Sequence, residues 1–147
     1  MVVREATAAD IRAMHVIRLG VRENRLSDPS VVTEQDYHDF MARDTKSWVC
    51  AHSTGSGPDG AIVGFAMVDV EKRNVWALFV APEHEFNGVG KLLHDTMLAW
   101  YFTRADVLRL STAPDTRAEA FYRKAGYTEQ GLTPSGEVIF ELKMPQR

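Results

Sequence analysis

Residues 78–93 have the sequence LFVAPEHEFNGVGKLL, and this stretch decides the fold of the chain. Its apolar start, residues 78–80, is typical of a buried strand, which Pro82 stops. A helix beginning at Asn87 or Gly88 is predicted next, because apolar residues then recur at helical spacing. The predicted buried face of this helix consists of Leu92, Leu93, Met97 and Leu98. The stretch therefore predicts a strand, a turn and a helix in close succession.

The turn before this helix has the properties of an anion-binding site. A helix N-terminus presents free backbone N–H groups and the positive end of the helix dipole. Gly88 and Gly90 carry no Cβ, so that a diphosphate can approach closely. A Walker loop does not fit, because only Val89 separates the glycines, and GxGxxG does not fit, because Leu93 replaces its third glycine. The alternative is an ordinary helix start in which the glycines only shape a turn.

A second informative segment, residues 115–127, has the sequence DTRAEAFYRKAGY. It predicts a short helix over residues 116–125, which Gly126 closes because glycine readily adopts the backbone conformation that ends helices. Tyr122 lies in the last turns of this helix. The chain thus contains two motifs that can be weighed together.

Together, the two segments resemble the motifs of the GCN5-related N-acetyltransferase family, whose members transfer an acyl group from acyl-coenzyme A to an amine. The glycine motif of that family has the form (Gln or Arg)xxGx(Gly or Ala). Residues 85–90, EFNGVG, match it at both glycines and depart from it at Glu85. Backbone contacts to a diphosphate need no particular side chain at that position.

The second motif of that family, NxxAxxxYxxxGF, is met at Ala118, Tyr122 and Gly126. Asp115 stands in place of Asn, and Tyr127 stands in place of Phe. Both motifs occur in the family order and at the family spacing. The resemblance implies a mixed α/β fold with a central, mostly antiparallel, splayed sheet flanked by helices, and acetyl-CoA as the cofactor.

The resemblance also implies where acetyl-CoA is held. The expected contacts are Leu78, Phe79, Val80, Glu85, Phe86, Asn87, Gly88, Val89, Gly90, Lys91, Asp115, Ala118 and Tyr122. A backbone N–H near Phe79 or Val80 would polarise the thioester carbonyl. Tyr122 would protonate the leaving thiolate, since a phenol of pKa about 10 can deliver a proton to a thiolate whose acid has a pKa near 8.5. The alternative for Tyr122 is a core tyrosine at a helix C-terminus.

The acceptor amine is predicted to lie near the first helix and the central strand. Its predicted contacts are Arg22, Glu23, Asp28 and Trp76. Arg18, Arg22 and Arg25 share one side of the first helix, where they hold an acceptor carboxylate or form a solvated basic face. Trp76 and Trp48 wall the pocket or belong to the core. The candidates for the general base are Glu71, Asp69, Glu23 and Asp28, and none is singled out.

The composition agrees with a single acyltransferase domain over residues 1–147. A net charge of -3 argues against a nucleic-acid partner, and the absence of a long apolar run argues against a membrane one. Cys50 is the only cysteine and no two histidines have zinc-ligand spacing, so we expect neither an internal disulfide nor a metal. We expect a cytoplasmic protein with a small-molecule amine as substrate, and a homodimer is left open. The rival functions are a non-catalytic acyl-CoA sensor and acetylation of a protein lysine or N-terminus.

Local patterns predict the remaining elements. Strands are expected at residues 2–5, 47–52, 61–70, 107–111, 127–130 and 137–143, with a further strand beginning after residues 73–74. Helices are expected at residues 7–26 and 33–43, because Thr7 with Asp10 and Thr33 with Asp36 each resemble a capping box. Consecutive strands joined by short turns predict a meander for the first part of the sheet.

Overall fold

A computed structural model describes residues 1–21, 32–51, 61–85 and 87–145. The strands are β1 Val2–Glu5, β2 Thr45–Ala51, β3 Ile62–Asp69, β4 Asn74–Val80, β5 Val107–Thr112, β6 Thr128–Leu132 and β7 Val138–Lys143. The helices are α1 Ile11–Gly20, α2 Glu34–Met41, α3 Val89–Tyr101 and α4 Arg117–Lys124. Short 3-10 turns at Ala8–Asp10 and Pro82–His84 precede α1 and follow β4.

The strands form one sheet in the order β1-β2-β3-β4-β5-β7-β6. Every neighbouring pair is antiparallel except β4 and β5, which are parallel. The predicted mixed α/β fold with a mostly antiparallel sheet is confirmed, as is the meander over β1 to β4.

The sheet opens between β4 and β5. These strands pair at a single position, Asn74 with Arg109, where the Arg109 N–H also donates to the Arg73 carbonyl at 2.8 Å. Beyond this point β4 continues to Val80 without a ladder to β5. A V-shaped opening results, and the β4 edge that faces it offers unpaired backbone groups.

A bulge in β4 changes which side chains face which layer. Met67 pairs with Ala77, whereas Val68 pairs with Val75, so that Trp76 is an extra residue on β4. Because of the bulge, Trp76 and Ala77 both pack in the apolar cluster under α1 and α2, although they are adjacent in sequence. Leu78 and Val80 lie on the opposite face, in the cluster under α3 and α4.

Helix α3 packs closely on the sheet because β3 carries a glycine beneath it. A Cβ at Gly64 would lie 3.0 Å from atoms of Leu93, Val89 and the Phe79 carbonyl, so no larger residue fits without displacement. Leu93 and Met97 are fully buried, as predicted, but Leu92 is 40% exposed, which contradicts its predicted place on the buried face. The buried face turns instead through His94 and Tyr101.

The helix starts follow the predicted capping residues. Both capping boxes are present, and the carboxylate of Asp10 accepts from the Thr7 N–H at 2.8 Å. The predicted extension of the first helix to residue 26 was too long. Helix α1 ends at Gly20, because Val21 is extended, with ψ of 118°. Glycine is a poor helix former and Val favours extended structure, so the helix stops where the two meet.

Candidate active site

The opening between β4 and β5 leads into a cleft of about 1040 Å³. Most of the predicted acetyl-CoA contacts line it, namely Leu78, Phe79, Val80, Glu85, Gly88, Val89, Gly90, Lys91, Ala118 and Tyr122. Asn87 and Asp115 are exposed and do not line it. Phe86, Arg22, Glu23, Asp28 and Arg25 lie outside the described residues, so their predicted contacts stay predictions.

The exposed β4 edge presents two N–H groups to the cleft. Backbone groups alternate along a strand, and the Ala81 N–H donates to Val63 in β3 at 2.8 Å. The backbone of Phe79 therefore faces β3, whereas the N–H groups of Leu78 and Val80 face the opening. Of the two predicted carbonyl donors, the geometry favours Val80 over Phe79.

Helix α3 begins at the mouth of the cleft. Gly88 is its N-cap and has φ of +79°, a left-handed conformation that L side chains rarely adopt. A Cβ built on Gly88 would meet no atom within 4 Å, so the space beside it is open. The helix begins at Val89, one residue after the later of the two predicted starts, and its first free N–H groups border room for an anion.

Glu85 is held by a cation from the other wall of the cleft. Its carboxylate forms an ion pair with Arg117, the first residue of α4. The pair links the turn before α3 to the start of α4, and both residues line the cleft. The negative charge that Glu85 brings in place of the family's Gln or Arg is thereby partly neutralised. Sequence reasoning missed Arg117, since nothing local relates it to Glu85.

The backbone conformation at position 115 accounts for an Asp there. It precedes α4 with φ of +60°, a conformation that Asp and Asn tolerate better than other non-glycine residues. The side chain is exposed and lies outside the cleft lining. Either residue therefore suits this turn on backbone grounds, without a ligand contact. A contact between Asp115 and acetyl-CoA stays a prediction.

Tyr122 lies in α4 with its ring in an aromatic cluster. Its ring centre is 5.3 Å from Phe121, 5.1 Å from Tyr127 and 6.2 Å from Phe140. Among the described residues, no group hydrogen-bonds its hydroxyl. Burial raises the pKa of Tyr122, so the hydroxyl keeps its proton across the neutral range. A protonated, unpaired phenol on a cleft wall is suited to donate a proton.

His94 is a buried neighbour of Tyr122 that the sequence did not single out. It is 3% exposed, and its Nε2 lies 2.7 Å from the Tyr127 hydroxyl. Burial lowers the pKa of His94 to about 4, so the imidazole is neutral and holds Tyr127 in place. Its position four residues after Gly90, on the face that meets the cleft, is the signal that could have indicated it.

The end of the cleft near α1 is formed by side chains instead. The Arg18 guanidinium carbon lies 4.9 Å from the Trp76 ring centre and 5.0 Å from that of Phe79. Trp76 stacks on Phe40 at 4.9 Å and meets Tyr37 edge-on at 5.2 Å. Arg18 is therefore packed among aromatic rings rather than on a solvated basic face, and Trp76 lines the cleft as predicted.

Three other predicted residues lie away from the cleft. Trp48 is 6% exposed and packs in the core against Trp100. Asp69 is 1% exposed, pairs with Arg43 at 2.8 Å and accepts from the Lys72 N–H, which fixes the turn between β3 and β4. Glu71 is a largely exposed residue of the same turn. Asp69 and Glu71 are thus structural or solvated groups. His84, which the sequence did not single out, does line the cleft near β4.

Neither a metal centre nor a membrane span is found in the described part of the chain. Residues 1–21, 32–51, 61–85 and 87–145 contain no group of three or more His, Cys, Asp or Glu side chains able to hold a metal ion. Within the same ranges, no helix has the length and apolar character needed to cross a membrane.

Comparisons with known proteins show which family and which solved structures this chain resembles. A family model described as an acetyltransferase (GNAT) domain matches residues 43–129, more than half of the chain. A search of curated proteins found no match. The ribosomal-protein-S18-alanine N-acetyltransferase from Escherichia coli has a similar structure, with a TM-score of 0.78 and 17% identity, over 99% of this chain and 95% of that one.

Two further solved structures have the same fold. Ard1 from Thermoplasma volcanium has a TM-score of 0.78 and 19% identity, over 99% of this chain and 98% of that one. A GCN5-related N-acetyltransferase from Rhodopseudomonas palustris, also described as an aminotransferase of class II, has a TM-score of 0.80 and 15% identity, over 97% and 95%. With its splayed sheet and the matched family model, the chain belongs to the GNAT acetyltransferase family.

Proposed function

We propose that this chain is an acetyl-CoA-dependent N-acetyltransferase, formed as one domain by residues 1–147, that acts on the primary amine of a small molecule. The observation that carries the proposal is the convergence on one cleft of three features. These are the free β4 edge at Val80, the glycine N-cap of α3 at Gly88, and the Tyr122 hydroxyl. Acetyl-CoA, when bound, supplies the acetyl group as a thioester.

Different residues of the chain would have different roles in acetyl transfer. The N-terminus of α3 offers N–H donors to the diphosphate, beside open space at Gly88. The Leu78 and Val80 N–H groups offer donors to pantetheine amides and to the thioester oxygen, where negative charge develops during attack. Tyr122 holds a proton for the departing thiolate. Because burial raises the pKa of Tyr122, proton transfer from this phenol requires that the thiolate is desolvated in the same place.

A small acceptor is supported by how the acceptor side is covered. Helices α1 and α2 pack on the face of the sheet that carries Trp76 and Phe79. Among the described residues, Tyr37 and Phe40 of α2 are buried against these rings, so this part of the covering is close-packed. The observation favours a compact amine over an extended peptide.

Acetyl-CoA binding tests the proposal through a matched pair of glycine variants. Gly88 and Gly136 have φ of +79° and +88°, and a Cβ at either would meet nothing within 4 Å, but only Gly88 lines the cleft. Gly88→Val should weaken acetyl-CoA binding by roughly 10- to 100-fold, the scale of a few lost charge-assisted hydrogen bonds, whereas Gly136→Val should not. Isothermal titration calorimetry measures both. Equal affinities in the two folded variants would place the diphosphate elsewhere.

Turnover separates an enzyme from a sensor. Coenzyme A thiol release should accelerate when wild-type protein and acetyl-CoA meet a panel of small primary amines. Peptides with free N-termini or lysines form the competing arm. Tight acetyl-CoA binding without acetylation of any amine would favour a sensor, and faster acetylation of peptides would favour a protein substrate.

A further inference from the structure

Arg18 is the one strongly basic side chain that lines the acceptor end of the described cleft. It projects from α1, and its guanidinium lies near the rings of Trp76 and Phe79, at 4.9 and 5.0 Å from their centres. The guanidinium also lies beside Tyr37: burial raises the pKa of Tyr37, and Arg18 opposes that rise. The aromatic neighbours and Tyr37 thus hold the guanidinium at the cleft wall.

The Nη1 group of Arg18 is buried and has no hydrogen-bond partner. In the described ranges, the Ser47 hydroxyl is the one other buried side-chain polar group in this state, and Ser47 does not line the cleft. No carboxylate of the described residues forms an ion pair with Arg18. A buried, unpaired N–H on a cation is costly, and such a group at a cleft wall points to a partner that arrives with the ligand.

We propose that Arg18 binds a carboxylate of the acceptor, so that the substrate is a small amine that also carries a carboxylate. This inference rests on the proposed function and specifies its substrate class. A carboxylate is planar and matches the planar fork of N–H groups that a guanidinium presents. One negative charge also balances Arg18, the single strongly basic side chain that the described residues place at this end of the cleft. Lys91 and Arg117 also line the cleft, but they lie with the α3 and α4 N-termini.

The position of Arg18 limits the length of the acceptor. The guanidinium touches Phe79, the residue next to Val80, whose N–H faces the proposed thioester. The amine must reach the thioester while the carboxylate stays on Arg18. An amine and a carboxylate separated by a few bonds satisfy both contacts, and a long polyamine or a peptide backbone does not supply the anion.

Amino acids and their amides provide the decisive comparison, because the amide keeps the amine and the shape but loses the negative charge. The panel contains α-, β- and γ-amino acids, each paired with its amide, and thiol release from acetyl-CoA is measured. For the best pair, kcat/KM for the acid should exceed that for the amide by roughly 10- to 100-fold. Arg18→Gln should abolish this preference, and Arg18→Lys should keep part of it, because Lys retains the charge without the planar fork.

Arg12→Gln is the matched control, since Arg12 lies on the same helix with its side chain 85% exposed. It should leave the preference for acids unchanged. The ratio is measured within each variant, so a partly unfolded sample lowers both rates and leaves the ratio intact. An unchanged ratio in Arg18→Gln, or no preference for acids in wild type, would overturn the inference. A higher kcat/KM for O-phosphoethanolamine or for a peptide N-terminus than for the best amino acid would also overturn the inference.

If no amine is acetylated, that failure counts against the proposed function alone. Binding of the acids and amides then still tests the carboxylate site at Arg18. Calorimetry with the same acids and amides, on wild-type and Arg18→Gln protein preloaded with coenzyme A, should then show the acid binding roughly 10-fold or more tightly in wild type only. Equal binding of acid and amide would refute a carboxylate site at Arg18.

Discussion

The two ends of the cleft are built from different materials. The proposed cofactor side, which comprises the end of β4 and the starts of α3 and α4, offers backbone N–H groups, glycines and Tyr122. The proposed acceptor side offers side chains, Arg18, Trp76 and Phe79, held by rings from α2. A site formed by backbone groups of one short segment requires fixed spacing in the sequence, so it can be recognised there as a motif. A site formed by side chains from distant elements has no such motif.

The two sides also differ in how their buried polar groups are satisfied. His94, behind the cofactor side, is 3% exposed and lies 2.7 Å from the Tyr127 hydroxyl. Arg18, on the acceptor side, leaves a buried N–H unpaired. The His94–Tyr127 pair is thus satisfied within the protein, whereas Arg18 lacks a partner that a ligand can supply. We therefore expect His94 to contribute to folding and Arg18 to substrate choice.

The largest expected effect comes from removing one hydroxyl on the cofactor side. Tyr122→Phe should lower turnover by roughly 100- to 10,000-fold and leave acetyl-CoA affinity nearly intact, because a proton donor acts in the transition state. Stability should hardly change, since no described group hydrogen-bonds this hydroxyl. Thiol release under conditions where chemistry is limiting measures the turnover.

Tyr101→Phe is the matched control for that experiment. Tyr101 is also buried, but it does not line the cleft and its hydroxyl donates to the Val107 carbonyl at 2.6 Å. Its loss should cost about 1 kcal/mol of stability and no turnover. The two variants should therefore show opposite patterns. Wild-type turnover in Tyr122→Phe would reassign Tyr122 to the core and leave water as the proton donor.

The next largest expected effect is on the pH dependence of stability, and it tests whether neutral His94 stabilises the folded protein. Its pKa is about 4 in the folded protein, against an ordinary value near 6.5 in an unfolded chain. Between these values the unfolded chain binds the proton and the folded protein does not, so stability is present above pH 6.5 and is lost as the pH falls toward 4. From pH 8 to pH 5 this amounts to about 2 kcal/mol.

Urea unfolding of wild type and His94→Gln at the two pH values measures this contribution. The variant should be less stable than wild type at pH 8, because packing is lost, and the gap should narrow by about 2 kcal/mol at pH 5. A gap that is equal at both pH values would show that His94 is not buried in neutral form. The comparison uses each protein as its own reference, so other titrating groups cancel.

The sequence predicted the strand, turn and helix of the proposed cofactor side well because their determinants are local. A strand, a proline and a glycine-opened helix follow one another within a few residues, and the capping pair Thr33 and Asp36 marks α2 as it does in the structure. The bulge at Trp76 was beyond prediction, since it is a property of the pairing between β3 and β4. The sequence named Arg18 only as one of three arginines that hold an acceptor carboxylate or form a solvated basic face, because its packing depends on how α1 docks over Trp76.

The smallest effect concerns Glu85, the departure from the family pattern on the cofactor side. Its negative charge lies beside the proposed diphosphate site and is only partly neutralised by Arg117. Glu85→Gln should therefore strengthen acetyl-CoA binding by roughly 2- to 5-fold, the scale of one charge near a solvated surface. The gain should shrink as salt rises, because screening weakens such repulsion. Glu83→Gln is the control, since Glu83 is exposed, lies two residues away and does not line the cleft. If Glu85→Gln weakened binding instead, the ion pair with Arg117 would be what positions the turn. The cofactor side would then depend on side chains as the acceptor side does.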